Sequence, residues 1–207
     1  MTWIKICGIT NLEDGLKAAS LGVDALGFVF ARSARRIEPD IAKKIILALP
    51  KTLLKVGVFV GEEEKEVERV AKYCGLNGLQ FHGKEPPEYC QKFSLQVLKA
   101  IRIKDLESLK DMERYHDVSI LLDTYSPVQA GGTGKSFPWE LSLIAKEKRD
   151  FILSGGLSPL NVGEAIKKVK PWGVDVSSGV ESSPGKKDFL KMEEFVKEVR
   201  KADETTG

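Results

Sequence analysis

A thiol, an imidazole and a carboxylate each close a short apolar run in this sequence. Cys7 ends Trp3-Ile4-Lys5-Ile6-Cys7, His82 ends Gly78-Leu79-Gln80-Phe81-His82, and Asp123 ends Ser119-Ile120-Leu121-Leu122-Asp123. Groups of these types move protons when they are held beside a small molecule. Arg35, in Phe30-Ala31-Arg32-Ser33-Ala34-Arg35-Arg36-Ile37, carries a guanidinium fork that fits a carboxylate. Two turns, Leu153-Ser154-Gly155-Gly156-Leu157 and Val176-Ser177-Ser178-Gly179-Val180, have the small residues that let backbone N–H groups approach phosphate oxygens. Each group also has an ordinary structural use. A strand cysteine can be a small core hydrophobe, Asp123 a turn residue, and His82 a hydrogen-bonded wall residue. The elements that carry them decide between these uses.

Eight apolar runs alternate with longer amphipathic stretches: 3–7, 24–30, 54–60, 78–82, 97–101, 118–123, 151–154 and 173–177. Helix signals lie between them. Thr10 with Glu13 reads as a capping box. Ile41, Ile45, Ala48 and Leu49 share one helical face, and Ser158 with Pro159 reads as an N-cap followed by a first helical residue. Val162, Ala165, Ile166 and Val169 follow at helical spacing, as do Phe189, Met192, Val196 and Val199 near the end. A short helix is expected over 139–146. Strand–helix alternation implies parallel strands with right-handed crossovers. Eight units of roughly 25 residues predict an α/β fold, a closed (β/α)8 barrel of the TIM type near its minimal size, as one domain over 1–207. An open doubly wound sheet is disfavoured by the lack of GxGxxG after the first strand.

Strand side chains alternate faces. If Cys7 faces inward, so does Lys5. The same phase puts Ser119, Leu121 and Asp123 inward on the sixth run, Gly173, Asp175 and Ser177 on the eighth, and Gln80 with His82 on the fourth. A barrel built only for stability would place branched apolar residues there. Buried Lys5 needs a counter-charge. Strands one and eight are neighbours in a closed barrel, so a Lys5–Asp175 contact within about 6 Å is expected. The active mouth lies at the C-terminal ends of the strands, with phosphate held after strands seven and eight. Ala130-Gly131-Gly132-Thr133-Gly134-Lys135-Ser136 mimics the end of a P-loop, but Gln129 stands where the motif needs glycine. The long segment 125–137 reads better as a lid over the mouth.

Composition narrows the partners. The 207 residues carry 32 basic and 30 acidic side chains, a net charge of +2, which calls for neither nucleic acid nor an anionic membrane. No apolar run approaches the ~20 residues of a membrane span, and the start of the chain enters a strand rather than a signal peptide. Three cysteines without a CxxC pair fit a reducing cytoplasm rather than a disulfide or zinc framework. Cys74 and Cys90 read as core residues, and Tyr73, Phe93 and Trp172 as packing between helices and barrel. The high Lys and Glu content hints at a heat-adapted protein. Either a monomer or a homodimer fits the evenly spread charge.

The motifs taken in order resemble the phosphoribosylanthranilate isomerases. The matching pieces are Lys5-Ile6-Cys7-Gly8-Ile9-Thr10, Gly27-Phe28-Val29-Phe30 with Ser33-Ala34-Arg35, Val56-Gly57-Val58-Phe59-Val60 and Gln80-Phe81-His82-Gly83. They continue with Leu122-Asp123-Thr124, Gly131-Gly132-Thr133-Gly134-Lys135, Leu153-Ser154-Gly155-Gly156-Leu157 and Asp175-Val176-Ser177-Ser178-Gly179-Val180-Glu181. Ala34 and Phe81 depart from the family's usual proline and leucine. The resemblance implies an Amadori rearrangement of N-(5-phosphoribosyl)anthranilate to a 1-deoxyribulose phosphate, in tryptophan biosynthesis. It implies Asp123 as the acid that opens the sugar ring, Cys7 thiolate as the base at C2, and Arg35 on the anthranilate carboxylate. Lys5 would favour the thiolate, and burial at the mouth would let Asp123 hold its proton. Gln80, His82 and Asp175 would line the wall beside the phosphate turns. The reaction is an internal redox, so no cofactor and no metal is implied. A ribulose-phosphate epimerase would need metal-binding histidines, and this chain has only His82 and His116. An indole-glycerol-phosphate synthase would be longer, with Lys and Glu catalysts. A silent phosphate-binding protein would need neither Cys7 nor Asp123.

Overall fold

In the computed structural model, which describes residues 1–124 and 139–206, eight parallel strands close into a barrel in sequential order. They are β1 (Trp3–Cys7), β2 (Ala25–Val29), β3 (Leu54–Phe59), β4 (Gly78–Phe81), β5 (Gln96–Ile103), β6 (Ser119–Thr124), β7 (Ile152–Ser154) and β8 (Gly173–Val176). The helices are α1 (Leu12–Ser20), α2 (Pro39–Ala48), α3 (Glu64–Cys74), α4 (Pro87–Cys90), α5 (Trp139–Lys148), α6 (Val162–Val169) and α7 (Phe189–Thr206). The fifth unit departs from the expected repeat: its crossover holds a 3-10 helix, Ser108–Arg114. A small hairpin of β9 (Glu181–Ser183) and β10 (Lys186–Lys187) precedes α7. The segment 125–137, expected as a lid, lies outside the described residues.

Alternation along the strands separates two apolar layers. Ile4, Ile6, Leu26, Phe28, Ile120, Leu122 and Val174 face outward and are buried beneath the helices. Leu98, Ala100, Leu121 and Ile152 fill the barrel interior with Trp3 below them. Trp172 stacks on Trp3 at 5.3 Å between ring centres. It therefore stands at the N-terminal end of β8 rather than between helices and barrel. Phe93 does pack there, against Phe81 and Tyr89, while Tyr73 is exposed beneath the Lys43 ammonium. Cys74 and Cys90 are buried in the outer layer.

Three local expectations are corrected. Asn11, not Thr10, caps α1, with its side chain accepting from the Asp14 N–H. The Thr10 hydroxyl donates instead to the Gly185 carbonyl. On α2 the buried face is Ala42, Ile45, Ile46 and Leu49, whereas Ile41 and Ala48 are exposed. Both sets fit a 3.6-residue period equally well, so spacing alone does not separate them. Ser158 opens a turn closed by Asn161 Oδ1 at 2.8 Å, and α6 begins only after Asn161. The expected faces of α6 and α7 are otherwise as found, with Val162, Ala165, Ile166, Val169, Met192, Val196 and Val199 buried. Among the described residues no helix is long and apolar enough to cross a membrane.

Candidate active site

A cavity of about 410 Å³ opens at the C-terminal ends of the strands, within the range of small-molecule sites. Ten of the expected site residues line it: Cys7, Arg35, Gln80, His82, Asp123, Gly155, Gly156, Asp175, Ser177 and Ser178. Gly179 does not. It lies where a Cβ would fall 1.9 Å from the Leu157 carbonyl oxygen, so only glycine lets the two turns pack together. Gly155 and Gly156 have φ of 88° and 71°, a region that glycine enters without steric cost. The phosphate-type turns are thus one fused cradle, with Gly179 beneath it.

Cys7 ends β1 against Gly27 of β2, where a Cβ would stand 2.6 Å from Sγ. Its carbonyl accepts hydrogen bonds from Lys187 Nζ at 2.6 Å and Ser177 Oγ at 3.0 Å. Below it Lys5 is fully buried and binds Asp175 at 2.8 Å, as barrel closure required: Lys5 and Asp175 are directly paired between β1 and β8. Ser154 Oγ donates to the other Asp175 oxygen at 3.2 Å. Burial is the largest influence on Lys5 and works to lower its pKa, but the charge and hydrogen-bond interactions with Asp175 and Cys7 together outweigh it and hold the ammonium above its usual range. Burial raises the Cys7 pKa; Lys5 pulls the other way, Asp175 adds to the rise, and the thiol ends above its usual value. Lys5 does favour the thiolate, as expected, but it does not set the outcome. The cation is present, but Asp175 neutralises much of its effect and burial prevails.

Across the mouth, His82 Nε2 lies 3.0 Å from Asp123 Oδ2, and Gln80 Nε2 lies 3.0 Å from His82 Nδ1. Gln80 is 1% exposed and its Oε1 has no hydrogen-bond partner among the described residues. The Asp123 side chain is 25% exposed, so burial at the mouth is only partial. Arg102 Nε stands 3.8 Å from the same Oδ2. Sequence reasoning missed Arg102 because the fifth run was ended at residue 101. Extending the inward phase of Leu98 and Ala100 by one step reaches it.

Arg35 is engaged within the protein. Its Nε and Nη2 each donate to one Glu181 carboxylate oxygen at 2.7 Å. That bond raises the Arg35 pKa. Burial pushes the Glu181 carboxyl up, but Arg35 and Lys187 outweigh it and hold it below the usual range. A free clamp was expected, and the fork is half occupied. Nearby, Val29, Ala31, Val58 and Val60 form an apolar wall on the β2–β3 side. The mouth thus presents an apolar, arginine-edged side, a thiol floor, an acid wall and an anion cradle. Among the described residues no cluster of His, Cys, Asp or Glu could hold a metal ion.

The family model for N-(5'-phosphoribosyl)anthranilate (PRA) isomerase matches residues 4–198. The N-(5'-phosphoribosyl)anthranilate isomerase of Desulforudis audaxviator is 49% identical over 205 residues, covering 98% of this chain and 100% of that one. Among solved structures, phosphoribosyl anthranilate isomerase from Thermotoga maritima superposes with a TM-score of 0.91 at 45% identity, covering 97% and 100% of the two chains. A second isomerase structure, in complex with reduced 1-(o-carboxyphenylamino)-1-deoxyribulose 5-phosphate, has a TM-score of 0.88 at 42% identity over 97% and 100%.

Proposed function

The chain belongs to the N-(5'-phosphoribosyl)anthranilate isomerase family of tryptophan biosynthesis, and we propose that it performs the Amadori rearrangement with Asp123 as general acid and Cys7 as general base. The observation that carries this reading is that the thiol and the carboxyl line one cavity, with an anion cradle after β7 and β8.

The phosphate sits on Gly155, Gly156, Ser177 and Ser178. The anthranilate ring lies against Val29 and Val58, its carboxylate on the outer edge of Arg35. The ribose then spans the mouth between Cys7 and Asp123, with Gln80 Oε1 accepting from a sugar hydroxyl. Asp123 gives its proton to the ring oxygen. The C1–O bond breaks, the nitrogen lone pair closes a C1=N double bond, and the sugar opens as an iminium. Cys7 thiolate removes the C2 proton; those electrons form C1=C2 and the C=N pair returns to nitrogen. The enol then loses its O2 proton and C1 gains one, giving the ketone. No external oxidant or reductant enters, because C1 is reduced as C2 is oxidised.

The high thiol pKa fits this order. In the free protein the neutral thiol predominates. The iminium places a second cation beside it and favours loss of its proton when the base is needed. Localisation in the cytoplasm fits a phosphorylated metabolite as substrate.

The test is a fluorescence assay on freshly made phosphoribosylanthranilate with the wild type, Cys7→Ser and Asp123→Asn. Each variant is expected to lose about 100-fold or more in kcat, the usual scale of acid–base catalysis. Undiminished turnover in either variant removes that residue from its role.

A further inference from the structure

Glu181 has no part in the chemistry above, yet it joins the two sides of the mouth. One of its oxygens accepts from Arg35 Nε, the other from Arg35 Nη2, both at 2.7 Å. Lys187 Nζ lies 3.0 Å from Oε1 of the same carboxylate and also donates to the Cys7 carbonyl at 2.6 Å. Glu181 and Lys187 are both nearly fully buried, on the two strands of the hairpin after β8. The Arg35 stem lies over Gly8, in space that a side chain there would need: an added Cβ would come within 2.7 Å of its Cδ.

A guanidinium has five N–H donors. Glu181 occupies one on Nε and one on Nη2, which leaves the Nη1 pair and the second Nη2 proton. Those form another fork, at the outer end of the group, that fits a second carboxylate. The charges allow it. Arg35 and Lys187 together outnumber Glu181 by one positive charge, so the cluster still attracts an anion. Holding the fork in advance spares the substrate the entropy of ordering a long side chain.

We propose that Glu181 is the positioning residue for Arg35, presenting its outer edge to the carboxylate of the substrate and tying that edge, through Lys187, to the backbone of Cys7. The proposal rests on the reading that Arg35 receives the anthranilate carboxylate. Glu181 itself touches no substrate atom.

The test uses calorimetric titration with two product analogues, reduced 1-(o-carboxyphenylamino)-1-deoxyribulose 5-phosphate and the same compound without its carboxyl group. Arg35→Ala is expected to weaken binding of the first about 100-fold and to leave the second unchanged. Glu181→Gln is expected to weaken the first about tenfold and to spare the second. In turnover it raises KM in the same proportion and changes kcat less than twofold. Binding of the decarboxylated analogue also reports that each variant is folded. If Glu181→Gln does not fold, Glu181→Asp, which keeps the charge for Lys187 but shortens the reach to Arg35, is read the same way. Unchanged affinity of Arg35→Ala for the first analogue overturns the clamp reading itself. A loss in Arg35→Ala without one in the Glu181 variants, or an equal loss for both analogues in those variants, overturns the role given to Glu181.

Discussion

His82 Nε2 meets Asp123 Oδ2 at 3.0 Å, and the other ring nitrogen is held by Gln80 at the same distance. In the acid role proposed for Asp123 the carboxyl gives up its proton at one position in space, and a ring held at both nitrogens orients it. Among the described residues, replacing His82 by Ala leaves Asp123 with only Arg102, 3.8 Å away. We expect kcat to fall about tenfold, the scale of one charge-assisted hydrogen bond, with little change in KM. The fluorescence assay checks it, and an unaltered kcat would remove the orienting role.

Burial, Lys5 and Asp175 together set how readily Cys7 ionises. Burial comes first in raising the thiol, and the Asp175 charge adds to it. The rate at which iodoacetamide alkylates Cys7, which reads the thiolate alone, is therefore expected to keep rising with pH through the ordinary thiol range. Asp175→Asn removes the competing anion and leaves Lys5 to the sulfur. The thiol pKa then falls, and alkylation of Cys7 by iodoacetamide at pH 7 becomes faster than in the wild type. Slower alkylation would reverse the assigned sign.

Gly179 should be the most demanding position of the phosphate cradle, although it does not line the cavity. An added methyl at 1.9 Å from the Leu157 oxygen forces the turns after β7 and β8 apart. Gly179→Ala is expected to raise KM and the inhibition constant of inorganic phosphate by about tenfold, equivalent to about 1.4 kcal/mol, and to lower Tm. Steady-state kinetics with phosphate as competitor decide it.

A buried ion pair outside the site carries stability. Glu85 accepts from the Gly61 and Gly83 N–H groups and from Lys99 Nζ at 2.8 Å. Burial opposes its ionisation, but these donors outweigh burial and hold its pKa below the usual range. Its contribution is therefore full at neutral pH and is lost as pH falls below the ordinary glutamate range toward the lowered value. Glu85→Gln leaves the buried Lys99 ammonium with the Gly83 and Phe81 carbonyls but no counter-charge, and should cost about 3 kcal/mol at pH 7. Urea unfolding at pH 7 and at acid pH checks both claims: the variant should lose stability less steeply on acidification.

The barrel could be read from the runs of Val, Ile and Leu because eight two-sided buried strands have no polar face to hide them. The Lys5–Asp175 pair could be read because closure makes the first and last strands neighbours. Glu181 on Arg35 could not: the partners are 146 positions apart, and the hairpin that brings them together has no hydrophobic period. Lys187 was silent for the same reason. The fifth crossover was overread, since Leu109 and Met112 are buried by a 3-10 turn that offers the same apolar spacing as a short helix.

The pairing of β1 with β8 has a consequence for biosynthesis. Cys7 leaves the ribosome well before Asp175, Ser177, Glu181 and Lys187, and Lys187 reaches the Cys7 carbonyl across 180 positions. Folding during synthesis proceeds from the N-terminus, so strands can pair early while the thiol has Lys5 beside it but not yet the Asp175 charge that opposes it. A nascent chain stopped before residue 173 carries the thiol and its cation without the counter-charge, the anion turn or the hairpin. The site is complete only when β8 pairs with β1.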